Sequence, residues 1–182
     1  MLTFLVILII IFLSIQVFPV ALGINVAGKA GKAIILIIVL SIVQVGTYWL
    51  GLVVGDSFMH LMDGFRGAVF FIGFLLIGIR MLMETFNIRK GERTYSIDTF
   101  GHVALASLAQ GINTFLAGLL FYYLKIDQLF TIIILFVLTV IVAIVGIVIK
   151  PGKLTFAFAS LLYAIGGLIM LISAVYISFF IL

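Results

Sequence analysis

Residues 128–149 read QLFTIIILFVLTVIVAIVGIVI, an apolar run held between Asp127 and Lys150 with no charge inside it. A run of that length supplies the roughly 20 residues an α-helix needs to cross ~30 Å of hydrocarbon. Comparable runs lie at about 2–24, 33–54, 67–86, 100–124 and 154–181. Lipid offers the backbone no hydrogen-bond partners, and nothing in the runs shows the alternation of a barrel strand, so all six read as spanning helices.

The rest of the composition agrees. Of 182 residues, 66% are hydrophobic and 9% charged, against roughly 45–50% and about 25% in a soluble domain. Such a chain cannot cover a water-facing surface, which excludes a soluble enzyme, a nucleic-acid-binding domain and a disordered regulator. Six spans use the whole length, so a single membrane domain over 1–182 is expected, with no soluble domain beside it. Cysteine is absent, which excludes disulfides and thiolate metal sites. The first run lacks a basic flank and a small-x-small cleavage site, and reads as a retained span rather than a signal peptide.

The breaks between runs are expected as short loops: 25–32, 55–66, 87–99, 125–127 and 150–153. Loops one, three and five carry Lys29, Lys32, Arg89, Lys90, Arg93, Lys150 and Lys153, whereas loops two and four carry only Arg66 and Lys125. Basic loops stay in the cytoplasm, so both termini are expected outside, in an inner (plasma) membrane.

Two stretches echo one another. Ser14-Ile15-Gln16-Val17-Phe18 in the first run and Gly111-Ile112-Asn113-Thr114-Phe115 in the fourth share a small residue, an isoleucine, an amide and a phenylalanine at one spacing. Ala21 and Gly118 each follow five residues after the amide. An odd number of helices per half turns the second half over in the membrane. The fold class expected is therefore all-α integral membrane, with two inverted three-helix repeats: 1–86, a cytoplasmic loop 87–99, and 100–182.

Polar side chains in hydrocarbon need a partner or a task. The set is Gln16, Gln44, Arg80, Glu84, Gln110 and Asn113, with Ser14, Ser41, Ser107, Thr47 and Thr139 as weaker members. Pro19 removes an amide donor and clashes with the carbonyl of Ile15, so a kink is expected beside Gln16. Gln16 and Asn113, each next to an irregularity, are candidates for a shared polar cluster with Gln44; the bland alternative is hydrogen bonding that only holds the bundle together. Arg80 and Glu84 stand one turn apart and read as a local ion pair with a snorkelling arginine, or as a pair between helices. His60, His102, Asp56, Asp63, Glu92, Asp98 and Asp127 read as solvated or interfacial. Gly46, Gly51, Gly55, Gly73, Gly78, Gly166 and Gly167 read as points of close helix packing. Tyr48, Trp49, Tyr122, Tyr123 and Tyr176 read as an aromatic belt at span ends. No nucleophile–base pair, phosphate loop or zinc spacing occurs, so neither an enzyme nor a cofactor is expected, and no residue is assigned to a metal.

Residues 78–86, Gly78-Ile79-Arg80-Met81-Leu82-Met83-Glu84-Thr85-Phe86, resemble the Gly-Gly-Arg-Met-x-x-Glu-Gly-Phe segment in helix 3 of the MntP-type manganese efflux pumps, within the wider lysine-exporter superfamily. Ser14 to Pro19 is similar to that family's Ser-Met-Asp-Ala-Phe-Ala. Gly111 to Phe115 falls where it has Ser-Leu-Asp-Ala-Met, and Gln44 with Gly51 and Gly55 resembles its Glu-x6-Gly-x3-Gly pattern. The resemblance implies six helices in two inverted repeats, both termini outside, and manganese efflux.

The departures are systematic. Carboxylates of the family in helices 1, 2 and 4 stand here as Gln16, Gln44 and Asn113, while Arg80 and Glu84 are kept. Amide oxygens can coordinate manganese but bring no negative charge and carry no proton. Divalent cation efflux is the leading expectation, with Gln16, Asn113 and Gln44 as the ion-binding set and Arg80 and Glu84 in support. A transporter of the same architecture for a neutral or zwitterionic solute, and a non-transporting membrane subunit or scaffold, stay open beside it. The partners expected are the lipid bilayer and a small ion or solute, with a second copy or another membrane subunit left open.

Overall fold

The computed structural model describes residues 2–24, 30–90 and 100–182. Its regular elements are helices: α1 (Leu2–Ile15), α2 (Phe18–Leu22), α3 (Ala30–Phe58), α4 (Arg66–Lys90), α5 (Phe100–Phe121), α6 (Gln128–Val148) and α7 (Lys153–Phe180). Single 3-10 segments cover Met59–Phe65 and Tyr122–Leu124. Five stretches of the described chain are long and apolar enough to cross a membrane, and one of them, Ala30–Lys90, runs for 61 residues and holds both α3 and α4. The protein is a multi-pass membrane protein.

The expected loop 55–66 is largely helical, and the start of the expected loop 87–99 is helical as far as it is described. α3 continues to Phe58 and a 3-10 segment fills the connection to α4, where a loop over 55–66 was expected. α4 likewise runs on to Lys90, into the expected loop 87–99. Loss of the apolar pattern marks the edge of the hydrocarbon, whereas backbone hydrogen bonding continues through polar residues of good helix propensity such as Arg89 and Lys90. Lys29, Glu92, Arg93 and Asp98 lie outside the described residues. The last two links are short as expected. Lys125 takes a left-handed conformation, with φ 49°, and Asp127 caps α6 by accepting from the backbone N–H groups of Leu129 (2.9 Å) and Phe130 (3.2 Å). Pro151 disfavours a helical Lys150 and separates α6 from α7.

The first run is broken rather than merely kinked: α1 ends at Ile15, Gln16 and Val17 form a turn, and α2 restarts at Phe18. All five residues of α2 are buried, as are Val6, Ile9, Ile10 and Leu13 of α1, so the broken helix lies deep in the bundle.

Helix pairs meet through small residues. α3 and α5 run parallel: Gly111 lies against Thr47, a Cβ on Gly51 would strike the Phe115 carbonyl oxygen, and one on Gly55 would stand 2.6 Å from that of Leu119. α4 and α7 run antiparallel. Gly67 meets Ser178 at one end, Gly78 meets Gly167 in the middle, and the Ser160 hydroxyl donates to the Thr85 carbonyl (3.1 Å) near the other end. Gly46 departs from the packing expectation, since a Cβ there would meet nothing within 4 Å. Tyr48 departs from the belt expectation: it is fully buried, edge-on to Phe121 with ring centroids 6.0 Å apart. It sits one turn before Gly51 on the face that α5 covers, whereas its neighbour Trp49 is exposed.

Candidate functional site

The break in the first helix exposes main-chain acceptors to side chains. In an unbroken helix the N–H of Val17 would bond the carbonyl of Leu13, four residues back. Here it turns to Ser14 instead (3.2 Å), and the Leu13 carbonyl accepts from Gln44 Nε2 of α3 at 3.1 Å. Pro19, with no N–H, deprives Ile15 of its helical donor in the same turn. The Gln16 carbonyl accepts from the hydroxyl of Tyr163, on α7, at 2.7 Å. At the break, two polar side chains from other helices occupy the carbonyls of Leu13 and Gln16.

The side chain of Gln16 sits in that turn and joins two more helices. Asn113 Nδ2 of α5 donates to Gln16 Oε1 at 3.1 Å, and Gln16 Nε2 points at the thioether of Met81 on α4, 3.4 Å away. Gln16, Gln44 and Asn113 have no solvent exposure at all. All three candidate amides therefore gather around one turn of the first helix. Leu13 and Gln16, the positions gripped by Gln44 and Asn113, are three residues apart in the chain.

Arg80 and Glu84 form a second group that reaches the first. Arg80 Nε stands 3.5 Å from Glu84 Oε1, and Arg80 Nη2 donates to the Ala109 carbonyl of α5 at 2.6 Å. Glu84 is only 4% exposed, and its Oε2 accepts from Gln110 Nε2 at 3.3 Å. Gln110 Oε1 lies 3.2 Å from the Tyr163 hydroxyl. That hydroxyl has one proton for two acceptors, and the shorter approach is to Gln16. Polar contacts thus run from Arg80 through Glu84, Gln110 and Tyr163 to Gln16 and Asn113. The pair is more than a local snorkelling contact, because it also ties α4 to α5.

Tyr163 and Gln110 are the residues that sequence reasoning undervalued. A lone tyrosine in an apolar run carries no signal of its own, while Gln110 stood among the in-span polar residues without an assigned role. Thr139 of α6, a weaker member of that set, is fully buried with no hydrogen-bond partner.

Chemically the cluster is a set of neutral acceptors. Among the described residues no group of three His, Cys, Asp or Glu could hold a metal ion, and Glu84, the buried carboxylate, already faces a guanidinium. A separate cavity of about 360 Å³ lies at one end of the bundle, lined by Asp56, Asp63, Arg66, Tyr122, Lys125 and Gln128. There Gln128 Nε2 donates to Asp56 at 3.0 Å; Asp56 is exposed, as expected, but stands on the last turn of α3 rather than in a loop.

No individual characterised protein and no solved structure matches the chain. A family model does: residues 27–178, most of the chain, match the MntP family, described as "Putative manganese efflux pump". By this match over most of its length, the chain belongs to the MntP family of transporters.

Proposed function

We propose that the chain is a secondary transporter that exports a small cation by alternating access, with Gln16, Asn113 and Gln44 as its ion-binding set. Manganese, named in the family's description, is the first cargo to test. The observation that carries this reading is the hydrogen bond from Asn113 to Gln16 across the broken helix. It joins the two residues of the echoing stretches, and inverted-repeat carriers hold their substrate where the halves meet.

The six-span, inverted-repeat architecture is part of the proposal. At ~1.5 Å per residue, the 61 residues of Ala30–Lys90 extend about 90 Å, three times the hydrocarbon, so they are read as two crossings with the turn at Met59–Phe65. Exchanging α1 and α2 with α5, α3 with α6, and α4 with α7 supports the repeat. α3 packs on α5 as α6 packs on α1 and α2, and α4 packs on α5 as α7 packs on α1. Details follow the same exchange: a Cβ on Gly51 would meet the Phe115 carbonyl, and one on Gly146 would stand 3.2 Å from the Phe18 carbonyl. The antiparallel α4–α7 crossing is what a two-fold axis lying in the membrane plane produces. The basic residues sort by end in support of a cytoplasmic side: Arg89 and Lys90 close α4 where α7 begins at Lys153, whereas Arg66 bonds the Leu182 carbonyl at the other end.

The sealed cluster is read as an occluded state, closed to both sides. Reconstitution into liposomes tests the reading. Counterflow of a cation, manganese being the first tried, that is lost in Gln16→Leu with the variant still folded is the expected result. No flux of any cation from well-folded protein would remove the exporter reading and favour a membrane subunit without transport. The neutral-solute reading draws on one observation, the lack of formal charge on Gln16, Gln44 and Asn113, and flux of an uncharged solute would select it.

A further inference from the structure

The unpaired oxygens of the central cluster carry an inference that rests on reading it as the cation site. Among the described residues, the buried side-chain atoms without a hydrogen-bond partner are two amide oxygens, Gln44 Oε1 and Asn113 Oδ1, and several hydroxyls. A hydroxyl can rotate and either donate or accept, whereas an amide oxygen only accepts. The NH2 groups of both amides have partners. Gln44 must present nitrogen to the Leu13 carbonyl, because oxygen there would face oxygen. Gln16 turns its nitrogen toward the Met81 thioether, and its oxygen receives the Asn113 NH2. In each case the oxygen is left over, fully buried, on a side chain anchored to the same turn of the first helix.

Leaving a buried acceptor unpaired costs about 1–3 kcal/mol, so these two oxygens make a site short of positive charge. We propose that this set binds a monovalent hard cation, an alkali ion, and that the ion this chain carries therefore bears a single charge. The argument is one of scaling. Attraction to neutral oxygens rises in proportion to the ion's charge, while the cost of stripping its water rises with the square, about fourfold for a divalent ion. A carboxylate would redress that balance for a divalent ion, but Gln16, Gln44 and Asn113 supply none, and Glu84 is engaged by Arg80 and Gln110. Oxygen donors also suit hard cations rather than soft ones.

The test is thermal unfolding of the purified full chain in mild detergent at constant ionic strength, with LiCl, NaCl, KCl or MnCl2 replacing choline chloride. At least one alkali chloride is expected to raise the midpoint saturably by a few degrees, as a ligand of the native state does, and MnCl2 is not. Gln44→Met should flatten the alkali response, and Asn113→Asp should transfer the response to MnCl2. A saturable response of the wild type to MnCl2 alone, no saturable response to any salt, or an alkali response unchanged in both variants overturns the proposal. Alkali binding without flux in liposomes leaves this site standing and removes the exporter reading. Manganese counterflow without alkali binding does the reverse.

Discussion

Gly78 of α4 and Gly167 of α7 oppose one another symmetrically: a Cβ built on either would lie 3.0 Å from the other's carbonyl oxygen. The flanking contacts obey the same symmetry. The Gly78 position presses on Leu171 and the Gly167 position on Leu82, at 2.7 and 2.8 Å. Neither residue leaves room for a methyl group unless the two helices separate.

Gly78→Ala and Gly167→Ala should each destabilise the fold by about 1–3 kcal/mol, the usual cost of overpacking. Both methyl groups push the same two backbones apart, so the second substitution costs less than the first, and the double variant should fall short of the sum. Thermal midpoints of the three variants in one detergent measure this, and simple additivity would contradict a shared seam.

Glycine at two other positions should respond in opposite directions. Gly51→Ala drives a methyl group into the Phe115 carbonyl, a backbone atom that cannot turn aside, and should cost more than either seam variant. Gly46→Ala meets nothing within 4 Å and should raise stability by up to about 1 kcal/mol through helix propensity. Unfolding midpoints of the pair, compared side by side, check the contrast.

Removing the Tyr163 hydroxyl leaves the Gln16 carbonyl without the donor it meets at 2.7 Å. Tyr163→Phe should lose about 1–3 kcal/mol of stability and slow or abolish transport, since the opened turn would no longer be held from α7. Tyr163→Leu, which also removes the ring, should be worse. Counterflow rates in liposomes, with unfolding midpoints as the control, separate the bond from the packing.

The Arg80–Glu84 pair should show a lopsided response. Arg80→Met removes the guanidinium that faces a carboxylate only 4% exposed and should destabilise by several kcal/mol, of the order of 3–5. Glu84→Gln keeps a neutral partner for Gln110 and should cost less. The double variant Arg80→Met with Glu84→Gln should recover much of the loss of Arg80→Met alone, because no buried charge then remains unpaired. A double-mutant cycle on thermal midpoints gives the coupling directly.

That the chain is helical and crosses the membrane several times was legible in its sequence because lipid imposes its demand locally: each run must be apolar over a fixed length. Pro19 announced the disturbance of the first helix by its chemistry, and Gln16, Gln44 and Asn113 stood out as polar groups in an apolar medium. What stayed hidden depends on the other helix. Tyr48 is buried because Gly51 and Gly118 let α5 close over it, and Tyr163 matters because α7 brings it to Gln16. Neither fact is written near those tyrosines. The continuation of α3 to Phe58 was hidden for a different reason, since hydropathy reports the medium around a helix and not the helix itself.

The paired glycines also bear on how such a molecule moves. At Gly78 and Gly167 the two backbones touch with no side chain interposed from either glycine, while bulky residues flank the contact above and below. A joint of that shape is a fulcrum, and with α4 and α7 as rigid arms, opening a cleft at one membrane face requires narrowing at the other.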